Sequence, residues 1–331
     1  MNKDIALIAD CGATNARFAL LNLHSGEIFN PLVLQCRDFA DLAAACAEYL
    51  DCCEDKNIAN AAIAIANPLL SEEIKLENNH WHFSRNSVRV KLNLENLFFI
   101  NDFAAQALAI SHISEQDKLL LHGDMTTAED LPQAVLGPGT GLGLAILHQT
   151  AGKTRVIATE GGHHSFSPQN EEEIAILRFA REELGRRRIT NEDFLSGKGI
   201  ELLYKAELFS QKLPQNSLTA AEITTNALQG DAFAIMVLQR FCGLLGSFAA
   251  DTALATGTRG GIYLCGGILP RIEKILKKSE FCARFDAADG NIAQYLQPIP
   301  IYLVRNNLSG LIGAAEFMLE KYAAMKLNQN S

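Results

Sequence analysis

The sequence predicts an α/β fold with a duplicated core, and three observations support this. Strand and helix signals alternate along the chain. Two short glycine-containing turns of the same design lie between apolar strands, in "IADCGATNARFALL" (8–21) and "AVLGPGTGLGLAIL" (134–147). The length of 331 residues exceeds the size at which one hydrophobic core usually stops growing. We therefore predict two domains that together bind one ligand.

The first half of the chain supplies the first turn and a series of alternating elements. Apolar runs predict strands at 5–9 and 16–23, and "DLAAACAEYL" predicts a helix at 41–50 because it has good helix formers and an acidic start. A strand is predicted at 61–67, followed by a polar segment at 76–84. The segment 96–111 changes from strand-like to helix-like around Asn101 and Asp102.

The second half repeats the opening arrangement of apolar strand, glycine-rich turn and apolar strand. Later, "GGIYLCGGILPRI" (260–272) predicts a strand that runs into Gly266 and Gly267 and then the start of a helix. A single turn of this kind is common, but two turns of one design and a third glycine pair indicate that they bind one ligand.

Composition excludes several classes of function. The formal net charge of −9, with one basic cluster at 185–190, argues against nucleic acid binding, and that cluster is typical of the polar end of a helix. No apolar run reaches membrane-spanning length by our reading, and Asp10 interrupts any signal sequence, so we expect no membrane partner. The eight cysteines form no Cys-x-x-Cys pair and are interpreted as reduced core residues of a cytoplasmic protein.

The chemistry of the two turns indicates phosphate binding. Glycines let backbone N–H groups approach phosphate oxygens, and Thr14 and Thr140 add hydroxyl donors at comparable places. Asp10 does not contact phosphate directly because like charges repel. A carboxylate beside a phosphate loop usually holds Mg²⁺ or its water shell. The alternative is that Asp10 only caps the turn.

Six ordered motifs resemble those of the bacterial ATP-dependent glucokinases, in the hexokinase–actin ATPase superfamily. They are "DCGATNARFAL", "INDFAAQA", "GPGTGLGLA", "EGGHHSFSP", "EDFLSGKGI" and "YLCGGILPRI". The resemblance implies a two-domain actin-like ATPase (ribonuclease H-like) fold, with a small domain (1–112 plus 303–331), a large domain (113–302) and a cleft between them. It also implies glucose as substrate, ATP and Mg²⁺ as cofactors, and a homodimer.

The resemblance assigns roles to particular residues, with Asp102 as the general base for the sugar 6-hydroxyl. The local sequence supports this role, because Asp102 lies where a strand gives way to a helix, the place where open α/β sheets present ligand groups. Capping that helix is an alternative role for Asp102. The implied glucose ligands are Asn78, Asn101, Asp102, Glu160, His163 and Glu192. The implied nucleotide-site residues are Asp10 (holding Mg²⁺ through water), Gly12, Thr14, Asn15, Gly139, Thr140, Gly141, Gly266 and Gly267.

Two features depart from the family pattern. The family usually has Gly-Gly-Thr-Asn in its first turn, but this chain has Ala13 at the second glycine, and we predict a negative φ there. His164 stands where a small or apolar residue is common, which leaves open a metal site of Glu160, His163 and His164.

Three functions remain open at this point: a kinase for glucose, a kinase for mannose, fructose or an amino sugar, and a catalytically silent sugar-binding regulator. Related repressors carry a DNA-binding helix-turn-helix before the first turn. The first predicted strand here starts at residue 5, so we expect no such segment.

Overall fold

The computed structural model describes residues 2–76, 79–124, 131–150, 153–306 and 308–329. Contacts divide the chain into two compact units, unit 1 (1–113 and 306–331) and unit 2 (114–305). Each unit is built around its own mixed sheet.

Unit 1 has a five-stranded sheet with the order β3-β2-β1-β4-β7. Its elements are β1 (Asn2–Cys11), β2 (Asn15–Asn22), β3 (Ile28–Gln35), α1 (Leu42–Asp51), β4 (Ile58–Ile65), β5 (Glu73–Lys75), β6 (His82–Ser84), α2 (Arg85–Lys91), β7 (Asn96–Asn101), α3 (Asp102–Ala109) and α11 (Ser309–Gln329). Strands β1, β2 and β3 are antiparallel, and β4 and β7 run parallel to β1.

Unit 2 has a six-stranded sheet with the order β11-β10-β9-β12-β13-β8. Its elements are β8 (Lys118–His122), β9 (Gln133–Pro138), β10 (Leu142–Thr150), β11 (Lys153–Thr159), α4 (Glu171–Leu184), α5 (Gly197–Ser210), α6 (Ala220–Leu228), α7 (Ala232–Thr256), β12 (Ile262–Leu264), α8 (Glu273–Leu276), α9 (Phe281–Phe285), α10 (Gly290–Leu296) and β13 (Ile301–Val304).

The two sheets follow one plan, which confirms the prediction of a duplicated α/β core. In unit 2, β9, β10 and β11 are antiparallel, while β12 and β13 run parallel to β9. This repeats the arrangement of β1, β2 and β3 with β4 and β7. In each unit the glycine-containing turn joins the first two strands of the antiparallel part. The two turns therefore occupy the same position in their sheets.

Helix α7 corrects one sequence expectation. At 25 residues, with a strongly apolar 18-residue window, it is long and apolar enough to cross a membrane, contrary to our reading of the sequence. However, 67% of that window is buried within the structure, and residues such as Leu238, Phe241 and Leu245 belong to the core of unit 2. We therefore interpret α7 as a core helix.

The cysteines are free thiols, and most of them are buried in the two cores, while Cys52 is exposed. In unit 1 the buried thiols include Cys11, Cys36 and Cys46, which pack with the apolar faces of β1 and α1. The prediction that the cysteines are mainly reduced core residues is confirmed.

Candidate active site

The first turn, residues 12–14 between β1 and β2, is closed by its own backbone. The Gly12 N–H donates to the Asn15 carbonyl oxygen at 3.0 Å. Ala13 is not among the non-glycine residues with positive φ, so the prediction of a negative φ at this position is confirmed. An alanine therefore meets no backbone strain here. Thr14, at the tip, is exposed.

The end of β3 supports this turn in a way that the sequence did not reveal. The Cys36 N–H donates to the Thr14 carbonyl oxygen at 2.9 Å, and the Cys36 thiol donates to the Gly12 carbonyl oxygen at 3.5 Å. The Gln35 side-chain amide donates to Asn15 Oδ1 at 2.6 Å. These bonds fix both sides of the turn.

Asp10 lies at the end of β1, directly opposite Arg17 in the antiparallel register. Arg17 Nη1 is 3.5 Å from Asp10 Oδ2, and the Asp10 side chain is only 16% exposed. Burial raises the pKa of the Asp10 carboxyl, and the Arg17 guanidinium partly opposes this by favouring the ionised form. A β-carbon on Gly310, at the start of α11, would overlap the Asp10 carboxylate, so glycine is needed there.

Asn101 and Asp102 lie where β7 ends and α3 begins. The Asn101 side-chain oxygen accepts from the backbone N–H groups of Phe103 and Ala104, at 3.0 and 3.1 Å, and so caps the helix. Asp102 is the first residue of α3, and its Oδ1 accepts from the Phe103 N–H at 2.9 Å. The sequence left capping open as the role of Asp102, but Asn101 provides the cap. The half-buried Asp102 carboxylate lies in the first turn, where the helix dipole favours negative charge.

Three of the predicted sugar ligands come together in unit 2. His163 Nε2 is 3.9 Å from Glu160 Oε2, and His163 Nδ1 is 3.9 Å from Glu192 Oε1. All three side chains are partly exposed, so they present two carboxylates and an imidazole to solvent. Such a group can accept from and donate to several sugar hydroxyls.

The glycines of the "EGGHH" motif explain how Glu160 and His163 are placed. Gly161 and Gly162 form a short 3₁₀ turn with His163 and are buried against β10. A β-carbon on either glycine would overlap Leu144 or Leu142. The turn that the sequence predicted is therefore present, and its glycines are needed for close packing on the sheet.

The second turn, between β9 and β10, is also closed by its backbone. The Gly139 N–H donates to the Gly141 carbonyl oxygen at 2.7 Å, and the Gly197 N–H donates to the Gly139 carbonyl oxygen at 2.9 Å. Thr140 at the tip is exposed, as Thr14 is in the first turn. Each unit therefore presents one threonine hydroxyl at the tip of such a turn.

Gly266 and Gly267 follow β12 and have different structural requirements. Gly266 has a φ of +91°, and a β-carbon there would lie 2.6 Å from the Pro138 carbonyl oxygen. Gly266 is thus required by its own backbone and by its contact with β9. Gly267 has open space around it, which leaves its backbone accessible.

Two further expectations concern Asn78 and a metal. Asn78 lies outside the described residues. In the part of the chain that the structure describes, no group of three or more His, Cys, Asp or Glu side chains is arranged to hold a metal ion, and this includes Glu160, His163 and His164.

Known proteins resemble the chain over almost its whole length. A family model described as Glucokinase matches residues 7–321. A glucokinase from Neisseria meningitidis serogroup C is 41% identical over 311 residues, which cover 93% of each chain. The crystal structure of a glucokinase from an Antarctic psychrotroph is 34% identical, with a TM-score of 0.82, and covers 96% of this chain and 100% of that one.

A more distant solved structure shares the fold alone. The ROK family glucokinase from Streptomyces griseus, solved with glucose and AMPPNP, is 16% identical with a TM-score of 0.67. The match covers 96% of this chain and 99% of that chain.

The duplicated sheets, their two glycine-containing turns and these structural matches define a sugar kinase with the actin-like ATPase fold, as predicted. Within that class, the family model and the 41% identical relative decide the family. The chain belongs to the glucokinase family.

Proposed function

We propose that this protein transfers the γ-phosphoryl group of ATP to the 6-hydroxyl of glucose. The observation that carries the proposal is its 41% identity, over 93% of both chains, to a curated glucokinase. The position of Asp102 supports it. This half-buried carboxylate begins α3 directly after β7, while the neighbouring Asn101 caps the helix.

Asp102 acts as the general base in this proposal. As glucose O6 attacks the γ-phosphorus, the O6–P bond forms, the bond from phosphorus to the β,γ-bridging oxygen breaks, and the O6 proton passes to the Asp102 carboxylate. General bases of this kind contribute about 10²–10⁴-fold to the rate, and positioning of the reactants contributes much of the rest.

Glucose would be held by Glu160, His163 and Glu192, whose separations of 3.9 Å suit several hydroxyls of one ring. Asn101 would contribute its side-chain NH₂ group, because its oxygen already caps α3. Asn78 is included from the family resemblance. A buried hydroxyl or carboxylate without a partner costs about 1–3 kcal/mol, so each of these contacts selects for glucose.

ATP would be bound by the two turns and by the glycine pair after β12. The turn residues would be Gly12, Thr14 and Asn15 in one unit and Gly139, Thr140 and Gly141 in the other, where the exposed Thr14 and Thr140 offer hydroxyls to phosphate oxygens and the glycines allow a close approach. Gly266 and Gly267 would contact the adenosine. The Streptomyces griseus structure with AMPPNP supports ATP as the nucleotide.

Mg²⁺ fits the residue that the sequence assigned to it. Asp10 provides one ionisable carboxylate beside a phosphate-binding turn, and Mg²⁺ in kinases usually takes one or two carboxylates together with phosphate oxygens and water. Asp10 would hold the ion, which supplies neutralisation of charge on the phosphates. The Arg17 guanidinium 3.5 Å away helps to keep the carboxyl ionised.

We extend the proposal to the domains and the assembly. Residues 1–112 with 303–331 would fold as one domain and 113–302 as the other, and the enzyme would be a cytoplasmic homodimer, as the resemblance to the family implies. Analytical ultracentrifugation tests the assembly, because a single species at the mass of one 36.1 kDa chain would contradict it.

The product identifies the reaction. Purified protein with glucose and Mg-ATP should form glucose 6-phosphate, which ³¹P NMR distinguishes from a phosphate on any other hydroxyl by its coupling to the C6 protons. Formation of another sugar phosphate, or of ADP and inorganic phosphate alone, would overturn the proposal.

A further inference from the structure

Glu192 is a predicted glucose ligand, but its two carboxylate oxygens face different parts of unit 2. Oε1 is 3.9 Å from His163 Nδ1, on the side of the sugar ligands. Oε2 accepts a 2.8 Å hydrogen bond from the backbone N–H of Leu142, the residue that follows the nucleotide turn. One carboxylate therefore touches both predicted substrate sites.

Gly141 in that turn makes room for Glu192. A β-carbon on Gly141 would lie 2.5 Å from Glu192 Oε2, closer than real contacts allow. Gly141 does not have a positive φ, so its backbone conformation does not itself require glycine. Gly139 in the same turn provides a contrast, because the nearest atom to a β-carbon there is 4.0 Å away.

The backbone around Glu192 reinforces this connection. The Glu192 N–H donates to the Gly162 carbonyl oxygen at 3.0 Å, which ties it to the turn that carries His163. A few residues later, the Gly197 N–H donates to the Gly139 carbonyl oxygen at 2.9 Å. The segment 192–197 is thus bonded to the sugar-binding turn at one end and to the nucleotide turn at the other.

We propose that Glu192 is a positioning residue for ATP as well as a glucose ligand, and that it couples the binding of the two substrates. A glucose hydroxyl bonded to Oε1 would fix the side chain and thereby the Oε2 bond that orders the nucleotide turn. Once one substrate has ordered the Glu192 side chain, the second binds without that entropic cost, so each substrate raises the affinity for the other. The inference rests on the proposed function, because it requires Glu192 to bind glucose and the Gly139–Gly141 turn to bind ATP.

The first test measures glucose affinity by isothermal titration calorimetry without nucleotide. Gly141→Ala should weaken glucose binding at least tenfold, since the new methyl group displaces the Glu192 carboxylate. Gly139→Ala is the matched control, because it adds the same methyl group to the same turn without touching Glu192, and it should change the glucose Kd less than twofold. Equal glucose affinities for the Gly141→Ala variant and the wild type would overturn the inference.

The second test measures Mg-AMPPNP affinity without glucose, where a residue that only binds sugar has no effect. Glu192→Ala removes the acceptor for the Leu142 N–H and should weaken AMPPNP binding about fivefold. Glu192→Gln keeps an acceptor oxygen and should stay within twofold of the wild type. Wild-type AMPPNP affinity in Glu192→Ala would overturn the positioning role.

These results separate the inference from the function on which it rests. If the wild type neither binds nor phosphorylates glucose, the proposed function fails. If the wild type phosphorylates glucose but Gly141→Ala leaves the glucose affinity unchanged, or Glu192→Ala leaves the AMPPNP affinity unchanged, the coupling through Glu192 alone fails. Circular dichroism melts of each variant show whether it is folded, and the Gly139→Ala and Glu192→Gln proteins supply matched folded references.

Discussion

Replacing Asp102 with asparagine removes the proposed base but keeps the bonds that cap α3. Asn101 keeps the helix cap, with its oxygen 3.0 and 3.1 Å from two backbone nitrogens. The asparagine side-chain oxygen can still accept from the Phe103 N–H, as Asp102 Oδ1 does at 2.9 Å. The charge–dipole interaction that is lost stabilises the helix by about 0.3–1 kcal/mol.

The kinetic effect of Asp102→Asn should be far larger than its effect on stability. Without a base for the O6 proton we expect kcat to fall about 10²–10⁴-fold, which corresponds to roughly 3–5 kcal/mol of transition-state stabilisation. Glucose binding, measured by calorimetry, should change much less, because the amide keeps the shape and polarity of the side chain. The assay couples glucose 6-phosphate formation to NADPH absorbance.

Asp41→Asn is a matched control for this experiment. Asp41 caps α1 in the same unit by accepting from the Ala44 N–H at 2.8 Å, and asparagine caps helices equally well. Its kcat should stay within twofold of the wild type. A folded Asp102→Asn protein with near-normal kcat would refute the assignment of the base.

The remaining predictions concern both predicted substrate sites. Glu160→Gln and His163→Ala should each raise the glucose Kd about tenfold, since sugar hydroxyls lose partners. Neither change should release stoichiometric zinc. Zinc that mass spectrometry finds in the wild type but not in His163→Ala would support a metal site instead. Ala13→Gly should change the KM for ATP less than about fivefold, because φ is already negative, whereas a hundredfold gain in turnover would show that Ala13 impairs the site. Asp10→Asn should lower Mg-ATP turnover yet raise Tm at pH 7. Burial raises the pKa of Asp10, so the ionised carboxylate destabilises the folded wild type as pH rises through that pKa. The Tm of Asp10→Asn should therefore exceed that of the wild type by more as pH rises, and the difference should disappear below the ordinary pKa of 3.8. A Tm below that of the wild type at pH 7 would contradict this prediction.

The local order of strands and turns was predictable because their signals are local. The helix predicted at 41–50 begins one residue later, since Asp41 is its cap rather than its first residue. The strand predicted at 61–67 is β4 at Ile58–Ile65, and Asn60 is the reason why its start was predicted too late. This buried asparagine interrupts the apolar pattern, but Asn96 donates to its side-chain oxygen at 2.9 Å, so it is tolerated inside the sheet.

The site residues that belong to a sequence motif were predictable, whereas contacts between residues far apart in the sequence were not. The pairing of Arg17 with Asp10 follows from the register of the hairpin, which places them opposite each other, so the sequence held this signal. Gly310 lies far along the chain from Asp10, and no local pattern links the two. Cys36 looks like any core cysteine, and only the structure shows its bonds to the first turn. The two roles of Gly141 and Glu192 were hidden for the same reason.

The central claim is best tested by steady-state kinetics of the purified protein with Mg-ATP across glucose, mannose, fructose and glucosamine, using pyruvate kinase and lactate dehydrogenase to follow ADP. We expect kcat/KM for glucose to exceed that of each other hexose at least tenfold, and to collapse in Asp102→Asn. A higher kcat/KM for another hexose would indicate a different sugar kinase. Binding of glucose without turnover of any hexose would indicate a sugar-binding regulator and contradict the account.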